Sequence, residues 1–168
     1  MDAANDRPYA RAPQVEDLVR ICRSLNESGA RYVLIGGFAV IAHGGARTTR
    51  DIDLLVDDSP GNIARVKSAL RVLTDRAADE VADDDVRRYA VVRVADEVIV
   101  DLMGRACGLT YSDVMQDAGA MEVGGVLIPV ASKRALIRTK ETVRPSDLAD
   151  RQFLQSLIDE EERDRDGR

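Results

Sequence analysis

Apolar residues fall along the chain in two rhythms, a three-to-four-residue stripe and short unbroken runs. Val15, Leu18, Val19, Cys22 and Leu25 follow the first rhythm and predict an amphipathic helix. Gly29 stands where such a helix would be capped. The run RYVLIG, residues 31–36, reads as a buried strand. FAVIA, after Gly37, suits a helical turn or two. DIDLLVD, residues 51–57, reads as a second strand. Ser59 and Pro60 then match an N-cap and a first helical position. Ile63, Val66, Leu70 and Leu73 mark one face of the helix that follows.

Residues 75–86 are acidic and irregular and are expected to form a solvated loop. RYAVVRV and VIVDLM are strand-like runs joined across Asp96 and Glu97, which predicts a hairpin. MEVGGVLIPV predicts a smaller hairpin around Gly124 and Gly125. Leu136 and Ile137, then Leu148, Phe153, Leu154, Leu157 and Ile158, predict two closing helices, with Pro145 marking a break between them. The order predicts an α+β fold, a mixed β-sheet covered by helices on one side, with a short C-terminal helical part. No repeat or linker interrupts it. The expected organisation is a flexible lead-in over 1–13, one domain over 14–158 and a charged tail over 159–168.

Composition narrows the picture. The chain has 168 residues, 45% of them hydrophobic, but only 4% aromatic and no Trp, so its core must rest on Val, Leu, Ile and Ala. A net charge of −6 argues against a protein that coats nucleic acid, although 24 Lys and Arg leave room for a local basic patch. Cys22 and Cys107 lack metal-ligand spacing, and His43 is the single histidine, so a His-based zinc site is excluded. Cys22 lies on the apolar stripe and is expected in the core, and His43 is expected at a helix end. No apolar run approaches the roughly 18 residues of a membrane span. The N-terminus lacks the apolar segment of a signal peptide, so the cytoplasm is the expected compartment.

The polar residues inside the strand-like runs carry the chemistry. Residues i and i+2 of a strand share a face. Asp51 and Asp53 therefore project together, while Ile52 and Leu54 point the other way. Asp101 interrupts VIVDLM on the same face as Ile99 and Met103. Carboxylates this close repel, and an Asp in an apolar run needs a partner. Three converging Asp oxygens suit a hard cation of the Mg²⁺ type, and such sites commonly serve phosphate chemistry. Gly36 and Gly37, at the end of the first strand, would let backbone N–H groups approach a phosphate closely. A structural Ca²⁺ site is the rival metal reading, but it would not require the glycines.

IGG, RTTRDIDLLVD and VIVDLM together resemble the DNA polymerase beta-like nucleotidyltransferase superfamily. The long spacer and the RTTRDID segment most resemble its abortive-infection (AbiEii-like) branch. KETVRPSDLADRQFL is similar to the Lys, Arg and Asp helix of those proteins. The resemblance spans residues 32–157. It implies a small nucleotidyltransferase fold and transfer of a nucleoside monophosphate from an NTP to an acceptor hydroxyl, with release of pyrophosphate. It also implies a toxin–antitoxin or phage-defence setting. Asp51 and Asp53 would hold two Mg²⁺ ions, or Mn²⁺ in their place, with Asp101 completing the second ion's shell. Gly36 and Gly37 would cradle the β- and γ-phosphates. Lys140 would contact the phosphates, with Lys133 as competitor for that role, and Arg144, Asp147 and Arg50 would belong to the nucleotide site. Arg50 could equally buttress the carboxylates, and Arg47 could be plain loop charge. Asp150 is expected on the surface. RNA 3′ ends, protein hydroxyls and small molecules all suit the acceptor role. A partner chain or second copy supplying part of the acceptor site also stays open. The alternative from another class is a non-catalytic nucleotide-binding or antitoxin-like module, against which the complete acid triad weighs.

Overall fold

The computed structural model describes residues 9–168. The first eight residues of the expected lead-in lie outside the described residues. Helix α1 (Val15–Glu27) buries Leu18, Ile21, Cys22 and Leu25, the stripe its spacing dictates. Its Asp17 accepts the Gln14 N–H at 2.7 Å and a two-pronged contact from Arg11 at 2.6 Å. Arg11 also donates its backbone N–H to the Glu97 carbonyl, tying the chain before α1 to a distant hairpin. Gly29, at φ +68°, turns the chain out of the helix.

Strand β1 (Tyr32–Ile35) runs directly into helix α2 (Gly36–Ala42). Strand β2 (Asp51–Val56) leads to helix α3 (Pro60–Leu70), with Ser59 as N-cap and Pro60 in its first turn. A 3-10 turn (Ala77–Glu80) and the short α4 (Asp85–Arg88) precede the hairpin of β3 (Val92–Ala95) and β4 (Ile99–Met103). A two-stranded ribbon, β5 (Arg105–Ala106) and β6 (Leu109–Thr110), and helix α5 (Tyr111–Met115) follow. A second hairpin, β7 (Gly119–Val123) and β8 (Val126–Val130), turns on Gly124 and Gly125, both at positive φ. Helices α6 (Lys133–Thr139) and α7 (Pro145–Asp166) close the chain, separated where Pro145 begins a new helix.

The six main strands lie in the order β3-β4-β2-β1-β8-β7. β1 pairs antiparallel with β2 and parallel with β8, and β2 pairs parallel with β4. This is the mixed sheet of an α+β fold. The second hairpin extends that sheet through Leu34 opposite Val130. Ile52, Leu54, Val100 and Leu102 are wholly buried, in one core with Leu18, Ile21 and Leu25 of α1 and Ile63, Val66 and Leu70 of α3.

The segment 75–86 departs from the solvated loop expected of it. Its acids face water, but Ala78, Val81 and Val86 within it enter the core. The buried Asp96 carboxylate holds the segment in place, accepting the N–H groups of Asp75 and Ala77 at 2.9 Å and of Glu97 at 2.7 Å. An acidic, apparently polar stretch can thus be pinned to the core by a carboxylate that serves backbone donors. Asp96→Ala would leave three donors without their acceptor, and the expected loss is about 2–4 kcal/mol of unfolding free energy. Urea unfolding measures it; a loss under about 0.5 kcal/mol would show that water replaces the carboxylate at no cost.

Candidate functional site

The parallel register of β2 and β4 sets Asp53 directly opposite Asp101 and Asp51 opposite Ile99. Each of the three acids offers a carboxylate oxygen, and these oxygens all lie within 4.8 Å of one another. The period-two spacing in the sequence therefore does place them together. Asp101 is 4% exposed, so its charge has little access to water.

The glycine turn is pressed against this cluster. Gly36 stands at φ +71°, and a Cβ there would come within 2.7 Å of Asp53 Cβ. Gly37 faces Thr49, whose Oγ1 would lie 2.7 Å from an added Cβ. The Thr49 hydroxyl in turn donates to the Asp51 carbonyl at 3.0 Å. The glycines thus let the end of β1 touch the side chains of β2 and its preceding loop.

Burial, together with the charges of Asp51 and Asp101, pushes the Asp53 carboxyl up to about 7. Lys140 pulls it the other way but does not prevail. Arg93 answers the remaining charge. Its Nε and Nη2 donate to the two oxygens of Asp101 at 2.9 Å each, and Nη2 reaches Asp51 at 3.4 Å. Arg93 escaped the reading of the sequence. Its face depends on the hairpin loop: three residues separate the paired Ala95 and Ile99, which sets Arg93 opposite Asp101. A two-residue turn at Asp96 and Glu97 would have set it on the other face. The signal that could have found it is Arg93 and Asp101 standing at equal distances from Glu97.

Lys140 caps α6 and is 6% exposed. Its Nζ lies 3.0 Å from Asp150 and 3.7 Å from Asp147. Asp147 also accepts the Thr142 hydroxyl at 2.5 Å and pairs with Arg144 at 3.2 Å. Asp150, expected on the surface, is instead buried and pairs with Arg47 as well. The reason is the helix that Pro145 starts: residues 147 and 150 are three apart and share the face turned toward Lys140. A buried ammonium requires such partners.

A cavity of about 670 Å³ gathers Gly36, Gly37, the three acids, Lys140, Asp147 and Arg144 along its wall. Arg144 lies at its rim, its side chain 73% exposed. Arg50 is exposed and lies outside this lining. Lys133 lies elsewhere, bound to Glu161 at 2.6 Å beside a smaller hollow that it shares with His43. His43 ends α2, its Nε2 donating to the Ala131 carbonyl at 2.9 Å.

The donor set fits a divalent cation. Three carboxylates within reach of one point, without thiol or imidazole, suit Mg²⁺ or Mn²⁺. The suppressed ionisation of Asp53 is what burial, reinforced by two neighbouring carboxylates, produces.

The family model described as nucleotidyl transferase AbiEii toxin, type IV TA system, matches residues 17–160. No curated protein matches the chain. A crystal structure from Thermotoga maritima, described as a "putative nucleotidyltransferase", shares the fold with a TM-score of 0.54 and 15% identity, over 87% of this chain and 92% of that one. Among the described residues, no helix is long and apolar enough to cross a membrane.

The raised carboxyl makes a pH prediction. In the metal-free chain Asp53 keeps its proton up to about pH 7, whereas the unfolded chain releases it near 4. Its contribution is fully present below the unfolded value and is lost as pH rises through 7. Asp53→Asn keeps the shape without the charge. That variant should melt a few degrees above the parent at pH 8 in chelator and match it near pH 4. Added Mg²⁺ should raise the parent's Tm at pH 8, less at pH 6, and should leave the variant unmoved. Equal Mg²⁺ shifts in both proteins would remove Asp53 from the metal site.

Proposed function

The chain belongs to the AbiEii nucleotidyltransferase family, and from that premise we propose that it joins a nucleoside monophosphate from an NTP to an acceptor hydroxyl, using divalent metal held by Asp51, Asp53 and Asp101. One observation carries this reading: acids from two paired strands converge against a glycine turn in a cavity that also holds a buried lysine. The toxin–antitoxin setting is supported by the family's description and is part of the proposal for this chain.

The roles follow from position. When bound, Mg²⁺ or Mn²⁺ supplies positive charge to the triphosphate and to the acceptor oxygen. Asp51 and Asp53 would hold that cation from β2. Asp101, the most buried of the three acids, receives the proton of the acceptor hydroxyl. The acceptor oxygen bonds the α-phosphorus, and the bond from that phosphorus to the bridging oxygen breaks. Pyrophosphate leaves with the electron pair. The backbone of Gly36 and Gly37 faces the phosphates without side chains in the way. Lys140, Arg47 and Arg144 meet two carboxylates, Asp147 and Asp150, so this cluster keeps a surplus of one positive charge for the triphosphate. Asp147 and Asp150 hold Lys140 in place. Arg50, exposed outside the cavity, is not among the residues that would hold the nucleotide.

The test is transfer of label from each α-phosphate-labelled NTP to total RNA, to protein or to small hydroxyl compounds. Asp101→Asn should bind nucleotide and lose transfer by about a hundredfold or more, as for an interaction used in the transition state. Lys140→Gln should weaken nucleotide affinity. Parent protein that binds NTP with Mg²⁺ and labels none of these acceptors would favour the non-catalytic module.

A second measurement needs no acceptor. Cys107 is an exposed thiol on the cavity wall, whereas Cys22 is buried with its thiol pushed up to about 12. A maleimide should therefore modify Cys107 alone, and Mg²⁺ with NTP should slow that modification several-fold. An unchanged rate at saturating nucleotide would move the nucleotide out of this cavity.

A further inference from the structure

We propose that Arg93 is a positioning residue that sits on Asp101 and Asp51 as an internal cation and competes with divalent metal for them. The inference rests on the preceding reading of the acids as metal ligands. Both Asp101 oxygens are engaged by the Arg93 fork at 2.9 Å, and the same guanidinium reaches Asp51 at 3.4 Å. A carboxylate oxygen has two lone pairs, so the fork leaves one on each. A cation must either use those, beside a fixed positive charge, or displace the fork.

Displacement is open to this side chain. β3 is the edge strand of the sheet, and the Arg93 side chain is 56% exposed where the Asp101 side chain is only 6% exposed. The arginine therefore approaches the acid from the solvent side. The charge count explains why it stays there without metal: three carboxylates face one another, and Arg93 neutralises one of them. Arg93 also lines the cavity. Once released it can turn to another anion in the same space, and a triphosphate is one. Metal and nucleotide are thereby coupled, because the nucleotide offers Arg93 an alternative partner. The role is conditional: Arg93 steadies Asp101 when the metal is absent and yields it when the metal arrives.

The experiment is calorimetric titration of the full chain with Mn²⁺ alone at pH 8, without nucleotide. Arg93→Gln removes the competing charge and should bind Mn²⁺ at least about tenfold more tightly than the parent, the size expected when one charge is removed from a close cluster. Arg93→Lys keeps the charge but loses the two-pronged grip, so it should fall between the two. It also carries the comparison if the Gln variant does not fold. Affinity unchanged or weaker in the variants would overturn the inference, because a merely structural arginine would leave Mn²⁺ affinity level or lower it. Asp101→Asn separates the two readings. If it abolishes Mn²⁺ binding while the Arg93 variants match the parent, the metal site stands and Arg93 does not compete for it. If neither the parent nor the Arg93 variants bind Mn²⁺, both readings fall together.

Discussion

Everything in the site depends on apolar burial holding like charges together. Left alone, Asp51, Asp53 and Asp101 would separate. They cannot, because each belongs to a strand whose other face is committed to the core. Ile52, Leu54, Val100 and Leu102 are wholly buried, and each contributes roughly 1.5–3 kcal/mol through that burial. Sliding β2 against β4 by one residue would exchange the faces, drive carboxylates into the core and expose the aliphatic side chains. The hydrophobic side of the sheet thus sets the distance between the acids on the other side. The displaced carboxyl equilibrium of Asp53 is the trace left first by its burial and then by this forced proximity.

A second polar group closes the site from the opposite end of the sequence. α6 and α7 bring Lys140, Asp147 and Asp150 together below the surface, with Arg47 arriving from the loop before β2. The two clusters differ in sign. The strands supply an excess of negative charge and the helices a slight excess of positive charge, across a cavity that would hold both ends of a metal–triphosphate complex. A buried ion pair is weak evidence of stability in itself. Here it ties the C-terminal helices to the loop that leads into the acids, so the helices' position bears directly on the site.

The strands, the acid triad and the break at Pro145 were legible because each follows a local rule. Period two puts Asp51 and Asp53 on one side, an Asp in an aliphatic run needs a reason, and a proline starts a helix. What escaped was set by long-range placement. Arg93 owes its face to one extra residue in a hairpin loop. Asp150 looked like surface charge because its partners, Lys140 and Arg47, come from other segments. The stretch 75–86 looked solvated because its acids are plain in sequence, while the anchoring Asp96 lies beyond it across the first strand of the hairpin. In all three cases residue type was visible and the partner was not.

The contact between Gly36 and Asp53 also limits how this chain can change over generations. The volume that a side chain at position 36 would need is the volume that the Asp53 side chain fills. The two positions are therefore sterically linked, although 16 residues separate them in sequence. Any larger residue at 36 must wait for a smaller one at 53, and that first step removes a carboxylate from the cluster. Even with that space cleared, a side chain at 36 would carry the strain of its left-handed backbone, φ +71°. While Asp53 stays, the space beside it admits only glycine at 36.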